Sequence, residues 1–221
     1  MSMKRTLILA VCMVFVASAA FAGIQTTKHN LSTGAAGSSG VNANQEICVY
    51  CHTPHNAQQG AALLAPLWSH SNTVASYTTY TNDFGTLNAA PAQPGSVSKA
   101  CLSCHDGTVA VGNIAVGYYA GNKAAGSFGA NVALAAGNNA YFSTDLSNDH
   151  PIGIVYVGSA VDAGLNGTPA ASIGGLPLYP SGANFTVECG SCHNVHNNDI
   201  AAPFLRMSNT GSALCLTCHN K

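Results

Sequence analysis

Charge is scarce in this chain. Only 7% of its 221 residues are Asp, Glu, Lys or Arg, and no basic patch offers a phosphate backbone anything to neutralise, so nucleic acid is set aside as a partner. Long apolar runs are scarce too. The run from Leu7 to Val16 falls short of the roughly eighteen residues needed to cross a bilayer, and nothing later is longer, so no transmembrane segment is expected in the mature chain. Methionine is nearly lost after the first 22 residues, where only Met207 remains, and Trp68 is the single tryptophan. Large apolar side chains are few in Ser32 to Asn44 and Ala120 to Asn139, where burial would repay little of the entropy lost on ordering. Such a polypeptide needs something besides its own side chains to pack around.

The first 22 residues read as an export signal. Lys4 and Arg5 precede the apolar run, and Ala20-Phe21-Ala22 has the small-residue pattern of a cleavage site before Gly23. Cys12 lies inside the apolar run and follows Val11, where lipidation would want a small residue. Residues 23–221 are then one secreted unit, placed outside the cell or on its surface, with the periplasm as the alternative.

All eight cysteines of that unit fall into four identical patterns: Cys48-Val49-Tyr50-Cys51-His52, Cys101-Leu102-Ser103-Cys104-His105, Cys189-Gly190-Ser191-Cys192-His193 and Cys215-Leu216-Thr217-Cys218-His219. This is the signature of covalent haem attachment. Two thiols add to the two vinyl groups of one porphyrin, and the adjacent histidine reaches the iron. A disulfide scaffold suits an exported protein but has no use for a histidine after every pair. Two four-thiolate zinc sites leave the same histidines idle, and a thioredoxin-like pair would occur once, in an α/β setting. Four covalently bound haem c groups are therefore expected, and they would supply the missing apolar mass.

Each haem iron has a second axial position. Five histidines lie outside the motifs, His29, His55, His70, His150 and His196, enough to give all four irons at His52, His105, His193 and His219 a second imidazole, with one histidine left over. Met207 could serve one iron at most. His55 and His196 stand three residues after a motif histidine, in Cys-His-Thr-Pro-His-Asn and Cys-His-Asn-Val-His-Asn. On a helix three residues advance about 4.5 Å, so such a side chain suits a neighbouring haem rather than its own. His150 is followed by Pro151, which favours extended backbone, and Trp68 beside His70 could cover a porphyrin face.

The motifs form two unequal pairs, residues 48–105 and 189–219, separated by a haem-free insertion, 106–188. The first member of each pair carries the extra histidine, as an internal duplication would leave it. Short strands are expected within Ile152 to Val157 and Tyr77 to Thr81, and a short strand or helix within Thr108 to Tyr119. Elsewhere Gly, Asn, Pro and Ser interrupt too often for long elements. The expected fold is a multihaem cytochrome c, mostly loop with short helices and a few small strands packed around a chain of four haems.

Spare ligands outnumber the irons, and Lys99 and Lys123 are the only lysines or arginines between His52 and Cys189. Little is left to build an anion-binding pocket beside an open iron, so electron transfer fits better than catalysis and no catalytic residue is assigned. With Lys4 and Arg5 removed, five basic residues face eight acidic ones, a balance that favours basic redox partners and salt-sensitive docking.

Several segments together resemble the doubled Cys-x-x-Cys-His multihaem family of anaerobic metal-respiring bacteria. They are Cys48 to Asn56, Pro66-Leu67-Trp68-Ser69-His70, Cys101 to Ala110, His150-Pro151 and Cys189 to Asn197. With Lys28-His29-Asn30-Leu31-Ser32 near the mature start, the layout is similar to tetrahaem extracellular cytochromes that assemble into filaments. The resemblance implies bis-histidine irons in a continuous chain, with electrons delivered to external acceptors. It also implies a homopolymer in which one axial histidine, from among His29, His55 and His70, comes from an adjacent subunit. A monomeric periplasmic carrier, and less so a multihaem reductase with one open haem, are the alternatives.

Overall fold

A computed structural model describes residues 23–32, 46–55, 57, 65–81, 87–88, 91–114, 126–127, 132–197, 200–201 and 203–220. The export signal, the stretch after Ser32 and all of 115–119 lie outside the described residues. Regular structure is sparse and much of it sits at the cysteine motifs. Helix α1 spans Ser96–His105 and ends on the second motif. Helix α2, Cys189–Cys192, is a single turn made of the third motif, and α3, Ala213–Cys218, carries the fourth. The first motif forms a 3-10 turn, Cys48–Tyr50.

The strands are equally short. β1 (Asn113–Ile114) pairs antiparallel with β2 (Gly126–Ser127). β3 (Ile154–Val155), β7 (Asn184–Val187) and β6 (Tyr179–Ser181) form an antiparallel sheet in the order β3-β7-β6. β4 (Ser172–Ile173) and β5 (Leu176–Pro177) make a hairpin. Its two-residue loop is Gly174-Gly175, with φ of 53° and 87°, the left-handed pair that a tight primed turn requires. The β3-β7-β6 sheet runs straight into α2, so strand pairing fixes where the third motif begins. Among the described residues no helix is long and apolar enough to cross a membrane.

β3 falls inside an expected strand segment, and β1 makes the segment from Thr108 a strand, where a helix was the alternative. Tyr77 to Thr81 does not become a strand and makes one isolated parallel bridge, Thr78 with Asp145. A side chain explains this: the Gln93 amide accepts from the Tyr77 N–H (2.9 Å) and donates to the Tyr77 carbonyl (2.8 Å). The backbone groups that a neighbouring strand would have taken are already satisfied.

Two small apolar clusters hold these pieces together. One joins Leu31, Val49, Tyr50, Val111 and Ile114 around Cys51 and Cys104. The other joins Tyr77, Leu102 and Leu146. Between them lies a buried polar centre. Asp106, directly after the second motif, accepts from Thr73 Oγ1 (2.6 Å), Tyr77 Oη (2.7 Å), Thr108 N (2.7 Å) and Thr108 Oγ1 (2.8 Å). Burial opposes its charge, yet these hydrogen bonds prevail and its pKa lies below the ordinary carboxylate value.

Tyr77→Phe removes one hydrogen bond to a charged acceptor without altering the ring. It is expected to lower stability by about 1.5–3 kcal/mol, read as a lower denaturant midpoint at unchanged slope. A midpoint equal to that of the unaltered protein would contradict this account of the buried centre.

Candidate haem-attachment sites

In three motifs the same backbone turn is used. The histidine N–H donates to the carbonyl of the first cysteine: His52 to Cys48 (2.8 Å), His193 to Cys189 (3.1 Å) and His219 to Cys215 (2.9 Å). The second motif lies wholly within α1, where the helix provides the equivalent contact. One turn of helix puts residues three apart on one side, so both thiols of each motif face one region and the histidine follows at its edge. None of the eight motif cysteines pairs with another in a disulfide.

A short return segment clips each of those three histidines. Thr53 N–H donates to Leu67 O (2.8 Å) and Ser69 N–H to Cys51 O (3.0 Å), bridging His52 with Trp68. The third motif repeats this with Asn194 to Phe204 (2.7 Å) and Arg206 to Cys192 (2.9 Å), and the fourth with Asn220 to Gly164 (2.8 Å) and Asn166 to Cys218 (2.8 Å). In the first and third motifs the turning residue is not glycine, yet Leu67 and Phe204 have φ of 54° and 58°. Each follows a proline, Pro66 or Pro203. A left-handed leucine or phenylalanine costs about 1–2 kcal/mol, and such strain concentrates where a site demands it.

The clip also directs the ring. His52 Nδ1 donates to Pro66 O (2.6 Å), His193 Nδ1 to Pro203 O (2.9 Å) and His105 Nδ1 to Ala140 O (2.7 Å). A carbonyl only accepts, so the proton lies on Nδ1 and Nε2 keeps its lone pair for a metal. Ala65-Pro66-Leu67 and Ala202-Pro203-Phe204 are a recurrence that the cysteine spacing alone does not reveal. A search for small motifs repeated downstream of each Cys-x-x-Cys-His would have found it.

The spare histidines fall into distinct positions. His196 lies with its ring centroid 6.0 Å from that of His52, His29 lies 5.9 Å from His105, and His150 lies 6.2 Å from His219. An imidazole nitrogen sits about 2 Å from a first-row metal ion, so two rings sharing one ion have centroids about 6 Å apart. Rings on a common axis are free to rotate, and the interplanar angles of 24°, 71° and 73° fit that arrangement. His29 Nδ1 is buried without a hydrogen-bond partner. Burial, then the positive charges that His105 and His193 can carry, push the pKa of His29 down to about 4, leaving it neutral as a ligand must be.

His70 is different. It is 1% exposed, with Nδ1 at 2.7 Å from Ser71 O and Nε2 at 3.1 Å from Ala110 O and 3.2 Å from Val111 O. Both nitrogens face backbone carbonyls. His55 is exposed and makes no ring contact with a motif histidine among the described residues. Met207 Sδ accepts from Thr217 Oγ1 at 3.3 Å.

Large apolar side chains stand open beside three motifs. Leu67, Phe142 and Leu216 are 53%, 45% and 44% exposed, next to His52, against His105 (ring centroids 5.6 Å apart) and within the fourth motif. A porphyrin edge or face is the kind of surface they fit. Among the described residues no group of three or more His, Cys, Asp or Glu could hold a bare ion, whereas paired thiols with paired imidazoles suit a ligand that brings four equatorial nitrogens of its own. The residues fit haem.

Successive motifs adjoin. The Cys51 thiol is raised to about 11 by burial and then by Cys48, and that of Cys104 is raised by burial and then by Cys51. Cys101, whose thiol donates to Val97 O at 3.5 Å, is raised by its neighbour Cys189 and then by burial. Cys192 is raised by burial and then by Cys189 and Cys215. The thiols thus lie within reach of one another's charge in chain order, first to second, second to third, third to fourth.

No curated protein matches the chain. Residues 183–221 match the protein family described as the doubled CXXCH motif. That span takes in Cys189 to His193 and Cys215 to His219 and stops short of the first two motifs. This part of the chain is similar to that family's paired haem-binding motif.

Proposed function

We propose that the mature chain is a tetrahaem c-type cytochrome that conducts electrons between bis-histidine haems, as a subunit of an extracellular filament that delivers electrons to external acceptors. The observation that carries this reading is the spacing of about 6 Å between His52 and His196, His105 and His29, and His219 and His150. Bound haem iron supplies a reversible one-electron change of oxidation state. The polypeptide holds it on both sides and fixes each imidazole, so that little rearrangement accompanies the change. His52, His105 and His193 are oriented by Pro66, Ala140 and Pro203 through their Nδ1 protons. With both axial positions taken no substrate gains access to iron, so the protein is read as a carrier and not an enzyme.

His70 is the leftover histidine in this scheme, since both of its ring nitrogens are turned to backbone carbonyls of its own chain. It serves as a buried post between the 68–71 segment and the loop at Ala110 and Val111. That leaves His193 and His55 without partners in one chain. The exposure of both supports the further reading that His55 of one copy ligates the iron held by His193 of the next, making coordination the polymer joint.

Three measurements test this. Intact mass of the secreted protein is expected to show four haems added, and a smaller number overturns the tetrahaem reading. Alanine at His196, His29 or His150 is expected to turn one haem in four from low-spin to high-spin by electron paramagnetic resonance, whereas His70→Ala leaves the low-spin signal whole and lowers stability. Equal behaviour of all four variants would sink the ligand assignment. His55→Ala is expected to abolish filaments seen by electron microscopy. Filaments that persist in that variant would exclude His55 as the joint.

A further inference from the structure

One buried carboxylate outside the ligand set sits where two attachment helices meet. Glu188 is 2% exposed and immediately precedes Cys189. Its Oε2 accepts from Gly95 N (3.1 Å) and from Ser98 Oγ, both at the start of α1. Its Oε1 accepts from Thr186 Oγ1 (2.9 Å). It also caps α2: its side chain accepts from the Ser191 N–H, and the Ser191 hydroxyl accepts from the Glu188 N–H at 3.0 Å. Ser98, fully buried, closes the joint by accepting from Cys189 N at 2.9 Å.

Two glycines allow this approach. A Cβ on Gly95 would meet Glu188 Oε1 at 2.5 Å, and one on Gly190 would meet Tyr179 Oη at 2.4 Å and Val97 Cγ1 at 2.8 Å. The helices therefore touch along their starts, with Ser98 of one bonded to the first cysteine of the other. Glu188 uses its oxygens only as acceptors, as an ionised carboxylate does. Its partners among the described residues are N–H and O–H groups, and the cation at the same joint, Arg206, donates to Gly190 O at 2.7 Å.

We propose that Glu188 is a positioning residue of the relay: it locks the second and third attachment helices together and places a negative charge at their junction that lowers the reduction potentials of the two haems held there. The inference rests on the tetrahaem reading above. Ferric bis-histidine haem carries one more positive charge than ferrous, and an anion in a low-dielectric setting favours the more positive state.

The test is spectroelectrochemical titration of the full haem-loaded protein carrying Glu188→Gln or Thr186→Val. Glu188→Gln keeps the shape and removes the charge, and two of the four midpoint potentials are expected to rise while the other two stay. Thr186→Val keeps the charge and removes one donor that screens it, so the same two potentials are expected to fall. A merely structural role would shift both variants in the same direction, which overturns the proposal. Should Glu188→Gln fail to assemble four haems, Thr186→Val decides alone: a fall confined to two haems supports the inference, and four unchanged potentials overturn it. Fewer than four low-spin haems in the unaltered protein would instead overturn the relay itself.

Discussion

A carbonyl oxygen set against the Nδ1 of a histidine decides which nitrogen is left to bind metal, and in this chain that contact is made for His52, His105 and His193. Much of the architecture serves to hold those carbonyls in place. Strands of two to four residues bury little, but β7 leads directly into the third motif and so fixes where it begins. The left-handed Leu67 and Phe204 are the cost of turning the chain sharply enough for Pro66 and Pro203 to face the rings.

Polar centres perform a second task that a larger core would otherwise perform. Asp106 gathers Thr73, Tyr77 and Thr108 behind the second motif, and Glu188 gathers Gly95, Ser98 and Thr186 in front of the third. Both are buried acids satisfied by neutral donors. Such networks specify geometry more sharply than apolar contacts because each hydrogen bond has a direction, and a misplaced partner leaves an unsatisfied charge. In a chain with so few charges, two of eight acidic residues are committed to the edges of neighbouring motifs.

The attachment motifs were legible in the sequence because their chemistry requires a fixed local spacing. The shortage of regular structure was legible too, from the density of Gly, Asn, Pro and Ser. The Gly174-Gly175 hairpin between Ile173 and Leu176 carried a readable turn signal that strand periodicity over so few residues could not raise. Tyr77 to Thr81 reads as strand because propensity is local, whereas the Gln93 side chain that takes its place as a partner is sixteen residues away. Which spare histidine faces which motif was not legible, since the pairs at 5.9 to 6.2 Å join residues as far apart as His52 and His196. The separate position of His70 depends on carbonyls forty residues downstream, for which no side-chain pattern exists.

The clips also differ in direction along the chain. Those of the first and third motifs, at Leu67 and Phe204, come after their histidines, and so does the Ala140 carbonyl that orients His105. The fourth is reversed, because Gly164 to Asn166 precedes Cys215 by about fifty residues, with Asn166 also reaching Leu216 O at 2.8 Å. For a polypeptide that emerges N-terminus first, the first three motifs are finished only by residues still to come, while the last arrives at a seat already made. The fourth motif is thus the one whose clip has already been made when its own cysteines and histidine emerge.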